Sequence, residues 1–303
     1  MLILNSEFSI AVETGNELNL KPFIQDLAHE FDAVLFAQPN TIISKSDSQH
    51  FLDKDLNLII DANGNCGIDN LEIKIETIYF DKDQSMNNNE QINRKARTEE
   101  FLENNRVKVN KHLPVIESTT KAKFRTPREI AQRVTVLAVI NSFAFDNISS
   151  EQATQYLKNY NLWDLVTPKE KDFLANPTKE RKMHETWKCE CIWTLLWVIN
   201  KVDDLGSPAK LCSLDNIPAG NYPIIEGQDP NNFIDSVNTM RSEAEILDVV
   251  DMYYRLDWAC VDARIKNRQM TVVNAGVVYE RHYALNWLIC YLDDNWDNVK
   301  CDT

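Results

Sequence analysis

Charged side chains at positions whose neighbours predict burial are the best candidates for chemistry in this chain. Asp257 and Arg264 fall between two apolar rows of the segment Arg241–Lys266. Arg281 projects from the middle of the apolar face formed by Val277, Ala284, Leu285, Leu288 and Leu292. A charge in such a place must be paired or hydrogen-bonded, because desolvating it alone costs several kcal/mol. The two segments are adjacent and joined by a modest loop, so they are expected to pack antiparallel. That packing predicts a buried or half-buried Asp257–Arg281 contact, with Glu280 beside it as a partner for Arg264. Such a cluster is either an ion pair that fixes helix register or the polar centre of an apolar pocket. Glu185 and Glu190 lie in a Trp-rich stretch. A carboxylate among aromatic rings can be pushed toward its neutral form and serve as an acid. The plainer reading of each is a Glu reaching past the apolar stripe to water or to an Arg. Asn141, on an apolar helical face, is expected to be a hydrogen-bonded core amide.

Other chemistries find less support. His184 with Cys189 and Cys191 is the closest His/Cys grouping, but residues two apart on a helix point about 200° away from each other, so no metal site is expected there. H-E-x-x-H and G-x-S-x-G are absent. With seven glycines, all read as turn or loop residues, the chain has neither G-x-G-x-x-G nor a P-loop, and no nucleotide or other cofactor is expected. Five His are spread with no readable pairing to a Cys or Ser, although a triad can assemble in space. The pairs Asp248/Asp251, Asp293/Asp294 and Glu99/Glu100 fall where solvated helical faces or ends would place them.

The elements that must position these residues are mostly helices. Ser242-Glu243-Ala244-Glu245 has the S-x-x-E capping pattern, and no Gly or Pro follows before Lys266. Val277–Asp293 is the next helix, after a loop holding Gly276. His184–Asn200 is apolar nearly all round and suits the centre of a bundle. Thr126-Pro127-Arg128-Glu129 and Thr167-Pro168-Lys169-Glu170 are helix starts with Thr at the N-cap and Pro at the first turn. Ser149/Ser150 caps another helix, and Arg94–Asn105 is a polar one. The proline-rich Asp203–Asn232 is expected to be a long surface excursion.

Before Arg94 the pattern differs. Phe8–Val12, Ala33–Ala37, Leu56–Asp61 and Leu71–Thr77 read as strands, and Leu20–Phe31 as an amphipathic helix. Asp81–Asn93 has almost no apolar content. The expected fold is α+β: a small N-terminal α+β domain (1–80), a linker (81–93) and a larger, mainly α-helical domain (94–303). All seven Trp lie in the last of these, which places the large core there.

A formal charge of −14 argues against nucleic-acid binding and against anionic membranes, and permits a basic protein partner. No apolar run is long enough to span a bilayer. The first residues lack the basic and apolar regions of a signal peptide, and the seven Cys mostly sit in apolar patterns, so a cytoplasmic location with reduced thiols is expected. With no cofactor motif, the first expectation is a protein-interaction or structural role. The alternative is a small-molecule enzyme with a polar pocket in the helical domain.

The second half resembles the bacterial domain-of-unknown-function family 4272. The resemblance rests on Arg125–Arg133, Leu162-Trp163 with Thr167-Pro168 and Glu170, Trp187 with Leu196-Trp197, and Arg241-Ser242 through Asp257-Trp258-Ala259. Glu280–Trp287, Trp296-Asp297 and Asp302-Thr303 complete the series. It covers roughly 94–303 and implies no activity, substrate or cofactor.

Overall fold

A computed structural model describes residues 20–68 and 88–302. The strands expected at Phe8–Val12 and Leu71–Thr77, and most of the expected linker, lie outside the described residues. The chain divides into two compact units, Met1–Thr77 and Ile78–Thr303.

In the first unit, α1 (Leu20–Glu30) precedes an antiparallel sheet of β1 (Leu35–Ala37), β2 (His50–Leu52) and β3 (Leu58–Asp61), in that spatial order. Register pairs Phe36 with Phe51 and Phe51 with Ile60. One face buries Ala37, Ile43, Leu52 and Leu56. The other leaves Phe36 and Phe51 exposed, their rings 5.3 Å apart, so apolar β1 is buried on one face alone. At the end of β3, Asp61 accepts from Ser46 Oγ, from the Asn65 side chain and from the Asn63 and Asn65 amides, and closes the Asn63-Gly64 turn. Those hydrogen bonds, Ser46's first, hold its carboxyl down at about 2.

The second unit is helical. α2 (Asn89–Asn104) starts inside the stretch expected as linker, because Asn88 and Gln91 form a capping box. The Thr-Pro starts hold: Thr126 caps α3 (Pro127–Ala144) and Thr167 caps α5 (Pro168–Ala175), each with its Glu reaching back. Ser149 caps α4 (Ser150–Asn159) in the same way with Gln152. The expected continuous helix His184–Asn200 is two helices, α6 (Lys179–Thr186) and α7 (Cys189–Val198), broken at Trp187-Lys188. The excursion after α7 is not superficial. Leu205 and Ile217 are buried in the main core, and α8 (Pro230–Ser236) closes it.

α9 (Glu243–Ile265) and α10 (Ala275–Leu288) pack on each other; α7 lies against α3 and α10, and α2 against α9. Gly276 is in the first turn of α10, not in the loop before it. Ser242 caps α9 as expected, but Glu245 accepts from Arg241 instead of returning to the cap amide. Asp251 and Glu99 are buried where a solvated surface was expected, and Arg255 is buried with them, because α2 covers that side of α9. Arg255 donates to Asp251 at 2.8 and 3.1 Å and to Glu99 at 3.4 Å. No described helix is long and apolar enough to cross a membrane.

Candidate functional site

The helices α7, α9 and α10 bring Glu190, Asp257, Arg281 and His282 into the buried middle of the unit, paired differently from the expected scheme. Arg281 does not meet Asp257. Its Nε donates to Glu190 Oε2 at 2.8 Å, and its Nη1 donates to Tyr253 Oη at 2.9 Å and to the carbonyls of Leu205 and Gly206 at 2.8 and 3.1 Å. The other Glu190 oxygen accepts from the Cys212 amide at 2.6 Å. Glu190 and Arg281 are sealed from solvent. This is the plain outcome for Glu190, a carboxylate answered by an Arg. The pair ties α7 and α10 to the connection between α7 and α8.

Asp257 takes the next residue along. Its Oδ2 lies 3.0 Å from His282 Nδ1, with the two residues 3% and 1% exposed. In a neutral imidazole, a carboxylate at Nδ1 selects the tautomer that carries its proton there and its lone pair at Nε2. His282 is on the wall of a pocket of about 400 Å³. Tyr254 and Asn286 share that wall, and Lys121, Lys123 and Asp302 line the same pocket. The Tyr254 ring centroid is 6.2 Å from that of His282, and burial pushes its hydroxyl up to about 12. Cys290, Leu292 and Asp293 line the pocket too, and all three adopt left-handed backbone conformations. For a leucine that conformation costs about 1–2 kcal/mol, a strain of the kind that clusters at binding sites.

The other predicted residues separate. Glu280 pairs with Lys188 at 2.8 Å and accepts from the Cys191 thiol at 3.2 Å, so it does not serve Arg264. Arg264 is exposed, on a pocket of about 500 Å³ that Asp257, Trp187, Tyr279 and Cys301 also line. Cys301 completes a tight group: one donor atom from each of Asp257, His282 and Cys301 lies within 4.8 Å of the others. Burial first, then the Asp257 and Glu280 carboxylates, keep its thiol well above the ordinary range. Glu185 is half-buried, and burial raises its carboxyl, with Glu170 and Glu280 adding to the effect and Lys188 opposing it. Asn141 is the expected core amide. Its Nδ2 donates to the carbonyls of Glu185 and Thr186 at 2.8 and 3.2 Å, the end of α6 where the helix breaks.

The sequence reading missed His282, Cys301 and Cys212. His282 carried a usable signal, being next to Arg281 on a helix that had to face α9. Cys212 and Cys301 carried none, since both are brought in by irregular chain.

A family model described as Domain of unknown function (DUF4272) matches residues 94–299, which include Glu190, Asp257, Arg281 and His282 but not Cys301. No curated protein and no solved structure matches the chain.

Proposed function

From a chain that belongs to the DUF4272 family, which brings no activity with it, we propose an enzyme that binds a small polar molecule beside His282 and acts on it by proton transfer. One observation carries this reading: a nearly buried histidine, held through Nδ1 by a buried carboxylate, is among the residues that line a pocket. The arrangement is that of a general base whose tautomer is fixed by its orienting acid. His282 Nε2 takes a proton from the bound molecule, and Asp257 stabilises the imidazolium that forms. The pocket is near the small end of the usual range for ligand sites, which suits a metabolite-sized molecule better than a polymer. Its rim carries both signs of charge, Lys121 and Lys123 against Glu117, Asp293 and Asp302. All seven cysteines are free thiols, which suits a reducing compartment such as the cytoplasm.

The test is a turnover and thermal-shift screen of the purified chain against small hydroxy, amino and carboxylic acids and their esters and amides. The expected result is a substrate whose turnover falls about 10²–10⁴-fold in His282→Gln, the span a general base supplies. Asp257→Asn should lose less. Turnover unchanged in His282→Gln rejects the reading. So does a screen with neither turnover nor stabilisation; protein capture by the acidic surface would then stand in its place.

A further inference from the structure

We propose that Asp257, His282 and Cys301 form a binding site for a divalent transition metal of the zinc class. The site goes beyond the acid–base reading and does not depend on it. Its three donors come from α9, from α10 and from the segment after the helical turn Trp296–Asn298, and they lie within 4.8 Å of one another. The Asp257 oxygen and His282 nitrogen are 3.0 Å apart. Two ligands at bond lengths of about 2.0–2.1 Å on a tetrahedral ion are separated by roughly 3.3 Å, so that edge is already close to the required length.

The donor set chooses the ion. Calcium and magnesium want oxygen alone and copper(I) wants sulfur, whereas one carboxylate, one imidazole and one thiolate suit the borderline character of zinc. Charge also balances. A dication with an aspartate and a thiolate is neutral, which lowers the cost of holding the ion in a mostly buried place. Three protein ligands leave a fourth position, and the pocket that Asp257 and Cys301 line with Trp187 and Tyr279 gives it an opening.

Loading the site has a defined proton balance. The Cys301 thiol releases one proton to solvent. The imidazole proton moves from Nδ1, which becomes a ligand, to Nε2. The pocket of about 400 Å³ that His282 lines then meets an N–H donor instead of a lone pair, so metal and general base are alternative states of one ring.

A rival grouping, Cys189, Glu190 and Cys212, is also compact. Both Glu190 oxygens are already engaged by Arg281 and by the Cys212 amide, so only the two thiols remain to it. That makes it the natural control.

The experiment uses the full chain, stripped with a chelator and titrated with cobalt(II), then with zinc(II). The expected result is a single equivalent of cobalt with visible bands of tetrahedral geometry and a near-ultraviolet thiolate charge-transfer band, both removed by zinc. Cys301→Ser, half-buried and after the last helical turn, should fold normally by circular dichroism. It should lose the charge-transfer band and bind cobalt at least about ten-fold more weakly. Asp257→Asn and His282→Gln should weaken binding while keeping the band at saturation. The double variant Cys189→Ser/Cys212→Ser should leave the spectrum unchanged. A charge-transfer band that survives Cys301→Ser, or that disappears in the double variant, overturns the assignment. Absence of cobalt binding by the wild-type chain overturns it as well.

Discussion

Arg281 and His282 are adjacent in the chain, yet one is closed off on Glu190 and the other turns to a pocket, because neighbours on a helix point about 100° apart. That rotation explains what the sequence could and could not reveal. Burial of Asp257, Arg281 and Glu190 is legible, since apolar neighbours surround each. The pairing is not, since a one-residue error in helix register exchanges the partners. For the sealed pair, Glu190→Ala should destabilise the fold by about 3–5 kcal/mol in urea unfolding, because it strands a buried guanidinium. Glu185 supports a prediction about pH. Its carboxyl is raised above the usual 4.5, mainly by burial. A raised carboxylate stabilises the fold fully below the unfolded value, and that contribution fades as pH climbs through the folded value. The wild type should therefore lose stability relative to Glu185→Gln as pH rises from 4.5, with the difference levelling off above the folded value. A difference that is flat with pH would contradict the direction given for Glu185.

Among the elements, those fixed by neighbouring residues were readable. Thr126, Ser149 and Thr167 each cap a helix through a hydrogen bond to a residue three positions on, and so announce themselves. The break between α6 and α7 has no Gly or Pro to mark it. It is stabilised from a distance, by Asn141 reaching the last carbonyls of α6. For the same reason the polar side of α9 read as solvated: nothing local says that α2 will lie over it. The turn at Trp187 also explains Gly276. A Cβ there would sit 2.6 Å from the Trp187 ring, so α10 can begin where it does only if that residue has no side chain. Gly276→Ala gains helix propensity but overpacks the contact, and a net loss of about 1–2 kcal/mol is expected by urea unfolding. Trp187→Phe in the same chain should recover part of it.

At the scale of the whole molecule, the described residues hold two separate cores, Ala37, Ile43, Leu52 and Leu56 in one unit and the Trp-rich helical cluster in the other. A chain beginning at Ile78 should therefore keep one cooperative thermal transition and the near-ultraviolet signal of packed tryptophans. Loss of both would show that the helical unit needs the first. In the sequence the change from strand-like alternation to helical spacing falls at about Arg94, whereas the compact units divide between Thr77 and Ile78. The folding-in of the chain after α7 was not readable, because prolines that suggest surface also permit a course along the core. That course has a kinetic consequence. The carbonyls of Leu205 and Gly206 and the amide of Cys212 are bonded to a guanidinium and a carboxylate with no access to water. To lift this stretch away, the protein must first maroon two opposite ions in a dry interior. The Cys212 amide should thus trade its hydrogen for deuterium as slowly as the amides of α7, on the timescale of global opening, though it belongs to no helix or strand.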